Sequence, residues 1–268
     1  MWGIVPAAGR GTRIQPLAFS KELLPVGSRI DDGNERPCAV SEHLIERMIL
    51  GGVDRICFII APGKSDILQY FGDAYGMAKI AYVVQTRPVG LCDAIFRAHY
   101  VVAPDQPVIV GLPDTIWFPK QALAELPSDQ LSFLLFPVEH PQFYDAVLLA
   151  GDAVQEIQVK RLHAGSNWIW GAFKMPGIVF EALRDLWLAR KCRDDYFGTL
   201  INAYLAQGGS AIGIKAGTDY VDIGTLNGYR AALGLLAEKD ESGADRESTH
   251  FAWPAGRPLL NQPTEAVA

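Results

Sequence analysis

The chain has 268 residues, of which 49% are hydrophobic and 20% charged. That composition belongs to a globular protein of one or two domains and excludes a collagen-like, wholly disordered or disulfide-rich chain. A net charge of −6 excludes the electrostatic footprint of a general nucleic-acid binder, while leaving room for a few cations focused on one anion-binding cleft.

In chain order, Trp2 to Pro6 predicts a buried strand opening into a Gly-rich turn. Leu44, Ile45, Met48 and Ile49 share one helical face, predicting a helix over Val40 to Leu50 that ends at Gly51-Gly52. Arg55 to Ala61 predicts a strand, Ile67 to Phe71 a short helix and Ile80 to Val84 a strand. Leu91 to Tyr100 then predicts a helix and Val108 to Leu112 a strand running into Pro113-Asp114. This β–α alternation calls for a parallel sheet with helices on both faces. The second half reads differently. Strands are predicted at Leu131 to Val138, Ala146 to Leu149, Val154 to Val159 and Trp168 to Lys174 without intervening helices. Helices follow at Ile178 to Arg190 and Phe197 to Ala206, a strand at Ala211 to Lys215 and a helix at Leu226 to Leu236. The expected class is α/β: a Rossmann-like, mixed but mainly parallel sheet flanked by helices, with an inserted smaller mixed-sheet part. One domain is expected over residues 1–237. Its nucleotide-binding core covers about 1–130 and an inserted substrate part about 131–220, with 221–237 returning to the core. From Glu238 the chain turns polar, and 238–268 is expected to be a partly disordered tail.

Cysteines stand at 38, 57, 92 and 192, with no C-x-x-C spacing and no histidines clustered beside them. Zinc and redox-pair chemistry therefore have no support, and reduced cysteines in a cytoplasmic protein are expected. The N-terminal residues have neither the basic start nor the apolar stretch of a signal peptide. No segment reaches the ~18 consecutive apolar residues of a membrane span.

The strongest local chemistry is the turn Pro6-Ala7-Ala8-Gly9-Arg10-Gly11-Thr12-Arg13. Small residues let backbone approach a ligand, successive N–H groups make an anion-binding hollow, and Arg13 adds a fork for two phosphate oxygens. The same turn could be a plain strand connection. It does not fit the dinucleotide pattern G-x-G-x-x-G, because Ile14 stands where a small residue is required. Gly63-Lys64-Ser65 mimics the end of a P-loop, but the earlier glycine would fall on Phe58, so it reads as a helix start. A nicotinamide dehydrogenase is excluded on the same grounds.

Together, Pro6 to Leu17 and Ser20-Lys21-Glu22-Leu23-Leu24-Pro25-Val26 resemble the G-x-G-T-R-x-x-P-L and K-x-L-L-P-V segments of the sugar-1-phosphate nucleotidylyltransferases. These nucleotide-sugar pyrophosphorylases include the glucose-1-phosphate thymidylyl- and uridylyltransferases. Gln85-Thr86-Arg87-Pro88-Val89-Gly90-Leu91 resembles their Q-x-x-P-x-G-L nucleobase loop, and Gly111-Leu112-Pro113-Asp114 their metal-binding strand end. Lys160 matches their sugar-phosphate lysine, and Tyr220-Val221-Asp222-Ile223-Gly224-Thr225 their W-x-D-x-G-T segment. The resemblance runs from residue 2 to about 237.

It implies an enzyme in which a sugar-1-phosphate oxygen attacks the α-phosphorus of dTTP or UTP and pyrophosphate leaves. Such chemistry is mainly alignment and charge neutralisation. By resemblance, Ala7, Ala8, Gly9, Gly11, Thr12, Arg13, Gln85, Pro88, Gly90 and Asp114 contact the nucleotide. Lys21 neutralises the α-phosphate, and Asp114 and Asp222 hold Mg2+, which prefers carboxylate, phosphate and water oxygens. A lone aspartate after a strand is ordinarily a turn residue; the accompanying motifs favour the metal role. Tyr144, Asp145, Lys160, Trp170 and Gly171 are expected at the sugar phosphate, with Lys160 gripping its phosphate. No covalent intermediate is required, and His140-Pro141-Gln142 lacks the second histidine of the H-P-H uridylyltransferases.

The sugar half departs from the pattern. Val159 replaces the carboxylate before the lysine, Asp145 replaces a glycine, Trp170-Gly171 replaces T-G, and the segment at Asp194-Asp195-Tyr196-Phe197 has no clean counterpart. Ser28 to Arg36 enlarges the loop after Lys21. These changes point to a sugar other than plain glucose. They also motivate an alternative, a non-catalytic regulatory protein of this fold that senses nucleotides or nucleotide sugars. By resemblance the chain would form a homodimer or homotetramer and bind neither nucleic acid nor membrane.

Overall fold

Pro and Gly break the apolar runs into short strands. A computed structural model of the protein describes residues 1–31 and 33–242. Its first half comprises β1 (Trp2–Pro6), β2 (Pro25–Asp31), β3 (Asn34–Ala39), α1 (Val40–Leu50), β4 (Arg55–Ile60), α2 (Ser65–Phe71), β5 (Ala74–Tyr75), β6 (Ala78–Val84), α3 (Leu91–Phe96), β7 (Val108–Gly111) and β8 (Thr115–Phe118). The second half comprises β9 (Leu131–Pro137), β10 (Asp145–Ala150), β11 (Ala153–Val159), β12 (Trp168–Met175), α4 (Gly177–Ala189), α5 (Phe197–Ala206), β13 (Ala211–Ile214), β14 (Asp219–Asp222) and α6 (Leu226–Ser242).

One ten-stranded sheet carries the fold, in the order β10-β11-β13-β9-β12-β7-β1-β4-β6-β5. Strands β7, β1, β4 and β6 are mutually parallel, and β12 returns antiparallel between β7 and β9. Strands β9 to β13 thus extend the sheet of the first half rather than forming one of their own. Side chains alternate across its faces. Ile4, Cys57, Ile59, Val108 and Val110 meet helices α3, α4 and α5 through Ile95, Phe180, Leu183 and Leu200. Val5, Ile56, Phe58 and Ile109 meet α1 and α2 through Leu44, Met48, Ile67 and Phe71. Burial on both faces explains why these strands read as unbroken apolar runs. This is the mixed α/β Rossmann-like architecture expected.

Two small sheets shape the site. Strand β14 pairs antiparallel with β8, setting Asp222 opposite Thr115. The segment after Lys21, expected as an enlarged loop, is the hairpin β2–β3, with Asp31 paired to Asn34 and Gly33 at φ +77°. Leu24, Val26, Ile116, Phe118, Ile223 and Leu236 form a third core that binds hairpin, β8, β14 and α6 together. Buried Arg47 locks β8 to α1, donating from Nε to the Trp117 carbonyl (2.9 Å) and from Nη1 to the His43 carbonyl (2.7 Å). Helix α6 continues to Ser242, into the stretch expected as tail; the remainder of that tail lies outside the described residues. Cys38, Cys57 and Cys92 are buried free thiols pushed up to about 12 by burial, and Cys192 is free and exposed. No described helix is long and apolar enough to cross a membrane.

Candidate active site

In open α/β sheets ligands bind beyond the carboxyl ends of the strands. Here the Gly-rich turn follows β1, Gln85 follows β6 and Asp114 follows β7. Ala7 and Ala8 are buried and anchored, the Ala7 N–H donating to the Ile59 carbonyl at 2.8 Å. Gly9, Thr12 and Arg13 are exposed beyond them. Gly11 adopts φ +63°, and a Cβ there would stand 2.8 Å from Cδ of Lys21. Glycine is therefore required twice over: for its backbone and for room beside the lysine stem.

Lys21 sits on a short 3-10 turn, Lys21–Leu23, and pairs with Asp114. Burial alone would lower its ammonium pKa, but the carboxylates of Asp114, Glu22 and Asp222 outweigh burial and raise it. Arg13, largely exposed, extends Nη2 to 3.3 Å from Asp222. The other Asp222 oxygen accepts the Gly224 N–H at 2.6 Å. The Ile223 N–H donates to the Asp114 carbonyl at 2.8 Å, so the two aspartates sit on adjoining backbone. Tyr220 and Tyr144 meet edge to face, and burial together with nearby Asp222 raises both phenols. The structure thus brings Arg13, Lys21, Asp114 and Asp222 into one cluster, with Tyr144 beside it.

Under this cluster lies an ion pair that sequence reasoning missed. Lys64 Nζ donates to both Glu22 carboxylate oxygens at 2.7 Å and to the Ala7 carbonyl at 2.7 Å. Glu22 is 1% exposed. Lys64 does begin helix α2, as its Gly-Lys-Ser context suggests, but its side chain ties the Gly-rich turn to the Lys21 turn. The long-range partner left no mark in the local sequence.

At the expected nucleobase loop, Gln85 is buried and Gly90 adopts φ +101°, where a Cβ would meet the Asp195 backbone at 3.1 Å. Pro88 is exposed on the same loop. Of the expected sugar residues, Tyr144, Asp145 and Lys160 lie together where β10 begins and β11 ends. Asp145 pairs with Val159 in the β10–β11 register. The Lys160 N–H donates to the Tyr144 carbonyl at 3.0 Å, and its exposed ammonium lies 4.8 Å from the Tyr196 ring centre. Burial pushes the Asp145 carboxyl up to about 6, against opposing pulls from Lys160 and the Trp170 indole. The indole N–H itself stays outside hydrogen-bond geometry.

Trp170 is 6% exposed and packs on Phe133, Phe173 and Phe197, so most of its ring belongs to the core. A register shift between Trp170 and Ala172 puts Trp170 and Phe173 on one sheet face. Gly171, at that shift, leaves its space to Phe136 and Tyr220, each within 2.7 Å of a Cβ placed there; its visible role is packing. His140 is an exposed loop residue.

Among the described residues, no group of three or more His, Cys, Asp or Glu forms a self-sufficient metal site. Asp114 and Asp222 offer two hard carboxylates on adjoining backbone, a donor set that fits a magnesium ion completed by phosphate and water oxygens.

The family model described as nucleotidyl transferase matches residues 2–239. The bifunctional protein GlmU of Methanococcus maripaludis is 26% identical over 192 residues, 69% of this chain and 43% of its own. The chain thus spans less than half the length of that relative. The glucose-1-phosphate thymidylyltransferase of Mycobacterium tuberculosis is 27% identical over 249 residues, covering 88% of this chain and 82% of its own. The UTP-bound UGPase of Acinetobacter baumannii superposes with a TM-score of 0.71 over 89% of this chain and 93% of its own, at 21% identity, a likeness of fold. Because the family model spans nearly all the described residues, the chain belongs to the nucleotidyl transferase family.

Proposed function

We infer that the protein joins a nucleoside monophosphate from dTTP or UTP to a sugar-1-phosphate, releasing pyrophosphate. The observation that carries this reading is the convergence of Arg13, Lys21, Asp114 and Asp222 at the carboxyl ends of β1 and β7. In this reading the Gly9–Arg13 turn and the Arg13 fork receive the β- and γ-phosphates. Lys21, its ammonium held charged by three carboxylates, receives the α-phosphate, where charge accumulates during displacement. Asp114 and Asp222 would hold a magnesium ion, which when bound neutralises phosphate charge and orients the triphosphate. Lys160 aligns the incoming sugar phosphate, and Asp145, beside it, meets a sugar hydroxyl. No general base is needed, because a phosphate monoester already carries its nucleophilic oxygen unprotonated.

Pyrophosphate release, measured with each of the common triphosphates, magnesium and a panel of sugar-1-phosphates, tests the reading. Release that needs both a pyrimidine triphosphate and a sugar phosphate supports it. Nucleotide binding without release from any pair would refute turnover and favour a sensor.

A further inference from the structure

The nucleobase-loop glutamine is clamped at one end of its amide. Gln85 is 3% exposed, and its backbone N–H donates to the Ile60 carbonyl at 2.8 Å. Its side-chain Nε2 donates to Asp93 Oδ2 at 2.6 Å and points to the Gly90 carbonyl at 3.3 Å. A carboxamide has two N–H donors and one carbonyl acceptor. Both donors are therefore committed within the protein, while no hydrogen bond to Oε1 occurs among the described residues. Asp93 is itself gripped by the Arg97 fork, Nε to Oδ2 at 2.8 Å and Nη2 to Oδ1 at 3.2 Å. Arg97 Nη1 reaches the Val84 carbonyl at 3.5 Å, one residue before Gln85. With a guanidinium across both oxygens, Asp93 presents only acceptors to its neighbours. Turning the Gln85 amide over would set its carbonyl oxygen against that carboxylate with no proton between them.

We propose that Asp93, braced by Arg97, is a specificity-determining positioning residue that fixes Gln85 with its carbonyl oxygen, and not its amino group, offered to the nucleobase. The proposal rests on the reading of residues 85–91 as a nucleobase loop. A fixed acceptor selects a base whose ring nitrogen carries a proton. Uracil and thymine have such an imide N–H; cytosine presents a bare N3 acceptor at the same position. Guanine's N1–H obeys the same rule and adenine's N1 does not. Uracil against cytosine, two rings of one size, is therefore the comparison that isolates amide orientation from steric fit. Asp93 does not touch the base in this scheme; it acts through Gln85.

The test is calorimetric binding of UTP and CTP to the full chain with magnesium present, without sugar phosphate, on the wild type, Asp93→Asn and Arg97→Met. The wild type should bind UTP at least tenfold more tightly than CTP. An asparagine at 93 offers either a donor or an acceptor, so only the longer 3.3 Å contact to the Gly90 carbonyl still opposes the second orientation of the Gln85 amide. The UTP-to-CTP affinity ratio should then fall fivefold or more, with CTP binding strengthened or unchanged as UTP binding weakens. Arg97→Met frees the carboxylate and should move the ratio the same way by a smaller factor. A merely structural role for Asp93 would weaken both nucleotides equally and leave the ratio where it was. The relay is overturned by wild-type binding that does not distinguish the two bases, or by a ratio unchanged in both variants. Selective UTP binding without pyrophosphate release would instead refute the transfer reading while the ratio still judges the relay. Binding of neither triphosphate would overturn both.

Discussion

Removing the ammonium of Lys64 should damage the fold and the site together. In Lys64→Met the Glu22 carboxylate, 1% exposed, loses contacts of 2.7 Å to both oxygens, and the Ala7 carbonyl loses its 2.7 Å donor. Breaking a buried pair from one side costs ~3–5 kcal/mol, because the remaining charge is left unpaired. Burial already raises Glu22 against the opposing pulls of Lys64 and Lys21, so the orphaned carboxyl can take up a proton. That escape places the expected loss near ~3 kcal/mol. For a domain of this size such a loss lowers Tm by roughly 6–12 °C. Replacing both partners, Glu22→Met with Lys64→Met, removes the stranded charge and should recover ~1–2 kcal/mol relative to the single variant. Glu22 also neighbours Lys21 on the same 3-10 turn, so Lys64→Met should lower kcat even at temperatures where it is fully folded. Calorimetric unfolding of the four proteins in the cycle, with pyrophosphate release at 20 °C, gives both quantities. A single variant within 2 °C of wild type, or strictly additive losses, would refute the argument that this pair holds the Gly-rich turn and the Lys21 turn together.

Asp114→Asn and Asp222→Asn should each reduce turnover ~10²-fold or more at temperatures where the variant is fully folded, since the lost charge neutralisation matters at the phosphates; near-normal rates with ordinary magnesium dependence would dismiss the two-aspartate site. Arg13→Lys should impair triphosphate use because a point charge does not replace a fork, and Lys21→Ala should depress kcat more than it raises the sugar-phosphate KM. Lys160→Ala should weaken every sugar phosphate alike, whereas Asp145→Gly should reorder the panel toward glucose-1-phosphate, and an unchanged ranking would remove Asp145 from sugar recognition. Finally, burial and the adjacent Arg47 hold His43 down to about 3, with its Nε2 on the Val26 carbonyl at 2.8 Å. Its folded pKa lies below the unfolded 6.5, so it contributes no pH dependence above about 6.5. Between there and about 3 the unfolded chain takes a proton that the folded chain refuses, and stability falls by ~1.4 kcal/mol per pH unit. Urea unfolding from pH 7 to 4 should show that slope flattened in His43→Gln, and an equal slope in both proteins would assign the acid sensitivity elsewhere.

The central strands were legible because they are buried on both faces, so each is a continuous apolar run bounded by Gly, Pro or Asp; β1 and α1 have the predicted ends. The short pairs were not. Thr115–Phe118 and Asp219–Asp222 are four residues each, and what makes them strands is their mutual pairing, a contact across about a hundred residues. The β2–β3 hairpin did carry a local signal, the Asp-Gly at 32–33 between strand-length segments, which the reading of an enlarged loop passed over. The turn after β1 was readable as tight backbone because its left-handed conformation and the neighbouring lysine stem leave room only for glycine at Gly11. Glu22–Lys64 and Gln85–Asp93–Arg97 were opaque for the opposite reason: any lysine or carboxylate looks solvated until the fold buries it. Trp170 shows the same limit from the apolar side, since the register shift at Gly171 that turns its ring into the core leaves no mark in a period-two pattern.

The pairing within the site bears on how it could accept a highly charged substrate. Each cation expected at the triphosphate is paired with an aspartate expected at the metal: Arg13 with Asp222, and Lys21 with Asp114. A half-buried charge is costly unless it is paired. A magnesium–triphosphate complex arriving here would let every ion exchange one partner for another. Arg13 and Lys21 would turn to phosphate oxygens, and both aspartates to the metal, without any of the four standing unpaired in either state. The exchange needs Lys21 to stay charged in its part-buried position. Burial works against this, and Asp114, Glu22 and Asp222 together overcome it. Glu22 has a further duty: its carboxylate also anchors Lys64, whose ammonium holds the Ala7 carbonyl at the head of the Gly-rich turn. Glu22, one of the three carboxylates that keep Lys21 protonated, thus also anchors the turn that the triphosphate would meet.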